Sequence, residues 1–351
     1  MERRFVLVLA MALAANACSD ALEQTSSAGQ VIGVVNTNDH TLSLVSATDF
    51  TVSTRSWQSA TATPGTIDGF GNVFLVPLGQ ADAVGVNLLL GQCGPGALCQ
   101  NPNYVIPLAA GSGATGVAIQ DDSIAWVANP NLNTVTRVNY VNGDTVSLTV
   151  GVHPQAVAIL GTRVFVVNGN LVGSSPAGPS WLTSFECCGV RTPDSIPLTG
   201  TNARFAVAGD DSLLYVVAAG HAGLADGKLS IVDPVSRAEV AVLNGLGESP
   251  GAAAFHPTGG RLLIASLAEG ILEVNTTIRS ITRGPGDGVK PGGHGVAGLA
   301  IDLRGRVYAV DPGACAAAGT VHVLTAPPNY NEIGTVTVGV CPATAAVAAT
   351  P

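Results

Sequence analysis

Few side chains in this sequence can do chemistry, and their types and spacing limit what that chemistry is. Six histidines occur, at 40, 153, 221, 256, 294 and 322. His153 and His294 each stand just ahead of an apolar segment of the same kind, beside Pro154 and Gly295. Equivalent placement puts both imidazoles on one rim, where they would act as metal ligands or acid–base groups, or simply stand as solvated loop residues. The second reading is favoured, because no carboxylate recurs at matching positions to complete a set of hard oxygen donors. Arg204 is the one charged residue beside these segments and is the best anion-binding candidate. Asn36, Asn129, Asn168 and Asp311 recur at another equivalent position. A ring of such groups could hold a polar ligand, although short polar side chains more often bond their own loop backbone.

Two motif matches fail on context. Gly247-Glu248-Ser249-Pro250-Gly251 fits the nucleophile pattern G-x-S-x-G. That pattern needs a following helix and a backbone N–H after the serine, and Pro250 has none. Gly284-Pro285-Gly286-Asp287-Gly288-Val289-Lys290 resembles a phosphate loop but lacks Gly-Lys-Ser/Thr, and Pro291 opposes the helix that should follow. The Asp121-Asp122 and Asp210-Asp211 pairs read as turn residues. No C-x-x-C-H haem-attachment sequence is present. No metal site and no cofactor are expected.

The elements that must position these residues follow from a repeat. A Pro or small residue, two variable residues and an apolar stretch recur around Ile67, Val117, Val157, Phe205, Ala253, Leu299 and Ala345, spaced by 50, 40, 48, 48, 46 and 46 residues. Each copy leads through a polar turn to a second strand, such as 124–128, 163–167 or 261–265, then to a third (134–138, 228–232, 320–324) and a fourth (145–150, 239–243, 334–338). Period-2 alternation and β-branched residues make these strands. A period of this length is that of a four-stranded propeller blade. Residues 31–57 hold a second, third and fourth strand with no first, whereas 342–348 form a first strand with nothing after it. The fold expected is therefore all-β: a seven-bladed propeller of antiparallel blades over 30–351, with the C-terminal strand completing the blade that 31–56 begin. The inner wall would then carry Gly65, Thr115, Gln155, Ala203, Gly251, Ala297 and Ala343.

The stretches Ala125-Trp126-Val127-Ala128-Asn129-Pro130-Asn131-Leu132-Asn133-Thr134-Val135-Thr136-Arg137-Val138 and Val34-Val35-Asn36-Thr37-Asn38-Asp39-His40-Thr41-Leu42-Ser43-Leu44 resemble the YVTN-type propeller repeat. The resemblance extends as a pattern over most of 30–350 and is weakest in 64–107. It implies a fold similar to lactonase-type and dehydrogenase-type propellers, and no chemistry of its own.

Composition agrees. Charged residues make up 11% of the chain, Gly 43 residues, and the formal net charge is −9. Nucleic acid is excluded as a partner, since phosphate contacts need clustered Lys and Arg. Residues 1–17 read as a signal peptide: Arg3 and Arg4, then an apolar run from Phe5 to Ala15 too short to span a bilayer. Ala15-Asn16-Ala17 suits ordinary cleavage, while Cys18 after Ala17 suits lipidation, which is favoured. Residues 18–29 would then be an anchor and linker, the only membrane attachment. The other six cysteines form an even set, as in exported disulfide proteins. Cys93 and Cys99 share one three-to-four loop and can close locally, while Cys315 in a two-to-three loop and Cys341 in the four-to-one loop of the same blade face one side and can pair. Chain entropy assigns about 2 and about 3.5 kcal/mol to these closures. For Cys187 and Cys188 a vicinal disulfide comes first, free thiols second. The function expected is a non-enzymatic, exported, monomeric lipoprotein, periplasmic or at the cell surface, that binds a protein or small molecule. A lactonase-like hydrolase using His153, Arg204 and His294 is the alternative, and an accessory subunit of an envelope redox complex the second.

Overall fold

The structure is a computed structural model that describes residues 29–57, 66–89, 103–187 and 193–349. Seven four-stranded antiparallel sheets follow one another around a central axis. Blade 2 comprises Asp68–Phe70, Val73–Leu78, Ala83–Leu88 and Asn103–Pro107. Blade 3 comprises Gly116–Ile119, Ile124–Asn129, Thr134–Asn139 and Thr145–Thr149. Blade 4 comprises Pro154–Leu160, Arg163–Asn168, Pro179–Glu186 and Asp194–Thr201, with a small ribbon (Leu171–Val172, Ser175–Pro176) in its middle loop. Blade 5 comprises Ala203–Ala208, Leu214–Ala218, Lys228–Asp233 and Ala238–Asn244. Blade 6 comprises Pro250–Phe255, Arg261–Ser266, Gly270–Asn275 and Ser280–Arg283. Blade 7 comprises Gly298–Ile301, Val307–Asp311, Ala318–Leu324 and Glu332–Val340.

Blade 1 joins the two ends of the chain. Gln30–Asn36, Thr41–Ser46 and Val52–Ser56 are completed by Pro342–Ala349, which pairs with Gln30–Asn36 from Val31 opposite Ala348 to Val35 opposite Thr344. Closing the ring this way pairs the edge of Gln30–Asn36 that would otherwise stand open. The Cys315–Cys341 disulfide, expected from loop placement, ties blade 7 to this closing strand. Thr37 donates its backbone N–H and its hydroxyl to the Cys341 carbonyl (3.0 and 2.9 Å), and the Asn38 amide reaches the Cys315 carbonyl at 3.0 Å. Cys187 is buried; Cys18, Cys93, Cys99 and Cys188 lie outside the described residues.

Both faces of each sheet are apolar because each is covered by a neighbouring blade. The buried clusters among the described residues are these interfaces: Val34, Val45, Tyr308 and Val323 join blades 7 and 1, and Trp126, Val164 and Phe185 join blades 3 and 4. Trp57 packs similarly between blades 1 and 2. Burying one such side chain contributes roughly 1.5–3 kcal/mol. Toward the axis the first strands crowd together. A Cβ at Gly116 would stand 2.4 Å from the Gln155 carbonyl oxygen, and one at Gly298 2.6 Å from the Thr344 Cα. Glycine there lets adjacent blades approach.

Candidate functional site

The first strands line a central channel. Its main cavity, about 360 Å3, has walls of Val117, Val157, Val207, Ala254, Ala300 and Ala345 among others. At one end it opens into a mouth of about 310 Å3 lined by Thr37, Thr66, Thr115, Arg204, Phe205, Gly251, Ala252, Ala297, Ala343 and Thr344. Phe205, Ala252, Thr66 and Thr344 border both, so the two spaces are continuous.

A repeated irregularity decides which residue faces the mouth. The first strand slips register against its neighbour between Pro154 and Ala156, between Ala203 and Phe205, between Pro250 and Ala253, and beside Ala343. The skipped residues are Gln155, Arg204, Gly251 with Ala252, and Ala343. A bulge re-aims one residue out of the pleat. This corrects the sequence assignment in blade 5. Ala203 is fully buried, and the position equivalent to Gln155 and Ala343 is Arg204. Gln155 itself donates from Nε2 to Asn202 Oδ1 at 3.3 Å.

Arg204 is therefore the one charged side chain of the mouth lining, exposed to the channel solvent, with no hydrogen-bond or ion-pair partner among the described residues. Burial pushes its guanidinium pKa down, as expected for a cation without a counter-ion. The threonine hydroxyls around it are partly committed: Thr66 donates to the Thr115 carbonyl (2.8 Å) and Thr115 to the Gln155 carbonyl (3.2 Å). Deeper in the channel lies Asp68, which sequence reasoning missed. Burial pushes its carboxyl up to about 6, against hydrogen bonds accepted from the backbone N–H groups of Ile119 (2.7 Å) and Gly69 (2.9 Å).

His153 and His294 line neither cavity. His153 adopts a positive φ of 53°, its N–H donates to Asn133 Oδ1, and burial lowers its pKa. The polar set at the ends of the second strands faces inward to the sheets. Asn36 donates to Thr41 (3.0 Å) and Ser43 (2.9 Å), Asn129 to Thr134 (3.1 Å) and Thr136 (2.8 Å), and Asn168 to Thr183 (3.0 Å). All three amides are buried. They join the second strand to the third, one blade at a time, and form no ring.

Asp311 takes a different partner. Its Oδ1 accepts the Gly313 N–H at 2.8 Å, while Oδ2 is 2.7 Å from His294 Nδ1 and 3.7 Å from His322 Nε2. His322 Nδ1 is 2.6 Å from Glu332 Oε2. Burial pushes the Asp311 carboxyl up, but the His294 and Gly313 hydrogen bonds outweigh it and hold the pKa below the usual value.

No family model matches this chain, and no curated protein does. Solved structures are similar in fold. Hydrazine synthase of Kuenenia stuttgartiensis matches with a TM-score of 0.61 at 13% identity, covering 82% of this chain and 90% of that one. Apo AztD from Citrobacter koseri matches at 0.60 and 11% identity, over 91% and 98%. A streptogramin B lyase matches at 0.60 and 10% identity, over 92% and 93%. Proteins this different in what they do share the propeller, and at such identity the likeness is one of fold alone.

Proposed function

We propose that this chain is a non-enzymatic, exported binding propeller of the YVTN-repeat type, tethered through lipid on Cys18, whose channel mouth takes a small anionic ligand. The observation that carries the reading is Arg204: a guanidinium with no counter-ion among the described residues, at the neck of a channel lined mostly by apolar side chains. Planar forked donors match a carboxylate bidentately, and partial desolvation strengthens the pair. Phe205 beside it and the alanine- and valine-rich walls below favour a ligand with an apolar body behind its charged head. Pockets that combine apolar walls with one orienting polar group are ordinary small-molecule sites. Hydrolysis gains no comparable support, because His153 and His294 border neither cavity and so do not converge with Arg204.

The reading is tested by calorimetric titration of the mature protein with a panel of short and medium-chain carboxylates. Saturable binding that is lost in Arg204→Ala supports it; equal binding by both proteins sinks it. Mass spectrometry of the mature N-terminus checks the anchor, which requires a diacylglyceryl-modified Cys18.

A further inference from the structure

The imidazole–carboxylate cluster on blade 7 lies outside the channel. Its central member is His322, which is 7% exposed. Glu332 binds the Nδ1 edge of that ring at 2.6 Å, and a carboxylate only accepts, so Nδ1 carries the proton. In the neutral ring Nε2 then presents a lone pair. That atom is buried with no hydrogen-bond partner, and it faces Asp311 Oδ2 at 3.7 Å. A lone pair aimed at a carboxylate oxygen in a buried place is unfavourable unless a proton on Nε2 or a metal ion lies between them.

A glycine turn packs directly against that edge of the ring. Pro291–Gly293 forms a short turn over His322, in which Gly292 holds φ at 62°. A Cβ there would stand 3.0 Å from His322 Cε1 and 3.3 Å from Nε2, so only glycine lets the turn lie this close to the ring. The same turn delivers His294, whose side chain is 64% exposed and whose Nδ1 meets Asp311 Oδ2 at 2.7 Å. Two nitrogens, one from the loop after Pro291–Gly293 and one from the strand Ala318–Leu324, thus approach one carboxylate oxygen.

We propose that His294, Asp311 and His322 form a binding site for one divalent transition-metal ion of the zinc class, with Glu332 orienting His322 from behind. Two imidazoles and one carboxylate are the donor set such an ion prefers. Ligands about 2.0–2.1 Å from a tetrahedral ion stand about 3.4 Å apart. The His322–Asp311 pair, at 3.7 Å, is already near that separation. The His294–Asp311 pair is a hydrogen bond and must open by roughly 0.7 Å to reach the same spacing. Among the described residues, accordingly, no three such groups are pre-arranged around an ion. Closure needs only the exposed His294 ring to swing and to move its proton from Nδ1 to the solvent-facing Nε2. Water completes the coordination. The Glu332–His322 pair is the outer carboxylate–imidazole bond that fixes a ligand's tautomer in metal sites.

This site is independent of the channel reading and is tested separately. Chelator-stripped, tag-free mature protein with its Cys315–Cys341 disulfide oxidised is titrated with zinc by calorimetry and with cobalt by visible absorption. The expected result is one equivalent bound, with cobalt d–d bands of nitrogen–oxygen ligation. Affinity should fall at least 10-fold in His294→Ala, vanish in His322→Thr, and fall about 10–100-fold in Glu332→Gln. His294→Ala changes an exposed ring, and melting curves of each variant confirm that it folds. Absence of saturable binding overturns the proposal. So does undiminished binding in either histidine variant, or a sulfur-to-cobalt charge-transfer band showing that thiolates hold the ion.

Discussion

Blades 3 and 7 place the same two strands in the same register and put different chemistry on them. In blade 3, Asn129 stands opposite Thr134, and Val127 opposite Thr136; the amide bonds both hydroxyls. In blade 7, Asp311 stands opposite Thr320, and Ala309 opposite His322. Blade 1 follows the first pattern with Asn36, Thr41 and Ser43, and blade 4 follows it with Asn168 and Thr183. Blades 1, 3 and 4 therefore use a neutral amide–hydroxyl pair to lock second strand to third, whereas blades 2, 5 and 6 carry Leu78, Ala218 and Ser266 at the amide position. Blade 7 replaces that pair with a carboxylate and an imidazole, which titrate and ligate. A position that sister blades fill with a neutral pair and this one fills with titratable groups is where function is to be sought.

The comparison breaks first if blade 7 is held by something other than its sheet. Replacing Cys315 and Cys341 by serine should lower stability by about 3.5 kcal/mol on chain-entropy grounds, read from denaturant midpoints. A far smaller loss would mean that closure rests on the Pro342–Ala349 pairing alone. Next comes the amide lock. Asn129→Ala removes two buried donor bonds and leaves the Thr136 hydroxyl in place, with Ser147 its remaining partner at 2.9 Å. The cost should be about 2 kcal/mol. A change within 0.5 kcal/mol would show that the recurring amide is not a stability device.

Much of this was legible in the sequence. The strands fell within a residue or two of their observed bounds, as with 124–128 against Ile124–Asn129. The fourth strand of blade 1 starts only at Val52, because Phe50 takes a positive φ of 60° in the preceding turn. The ring closure was readable because an orphan first strand and an orphan trio can only complement each other. The channel lining was less legible. A bulge adds a residue without any change in hydrophobic pattern, so the wall position in blade 5 fell on Ala203 when it belongs to Arg204. His322 was missed for a related reason. Within Ala318–Leu324 it looks like one more member of an alternating strand, and only the pairing register sets it where Ser43 and Thr136 stand.

Asp68 sharpens the contrast from the channel side, as a half-buried acid with no cationic partner among the described residues. Its folded pKa of about 6 lies above the 3.8 of an unperturbed carboxyl. A raised pKa means that the fold prefers the protonated acid. That contribution is full below about pH 3.8 and is lost as pH rises through about 6. Asp68→Asn should therefore gain on the parent protein between pH 4 and 7 by on the order of 1–2 kcal/mol, since one pKa unit corresponds to about 1.4 kcal/mol and the site is only partly desolvated. Parallel pH–stability curves for the two proteins would show that Asp68 is as well solvated as a surface acid.

The smallest stability effect carries the most information about blade 7. The double variant Asp311→Asn with His322→Thr rebuilds the blade 3 pair on the blade 7 strands. Asn at 311 keeps an oxygen for the Gly313 N–H and gains a donor for a hydroxyl at 322, so the second-to-third strand lock is restored in neutral form. The bonds given up are Glu332 to His322 and His294 to Asp311, each with one partner 44% or 64% exposed, and exposed pairs contribute little. Stability should thus stay within about 1 kcal/mol of the parent. If the variant instead loses several kcal/mol, the charged cluster is the structural fastening of blade 7 and the analogy with blade 3 fails. A result near zero means that the fold is indifferent to which pair it carries there. Selection for the titratable, ligating pair would then have to come from what it binds.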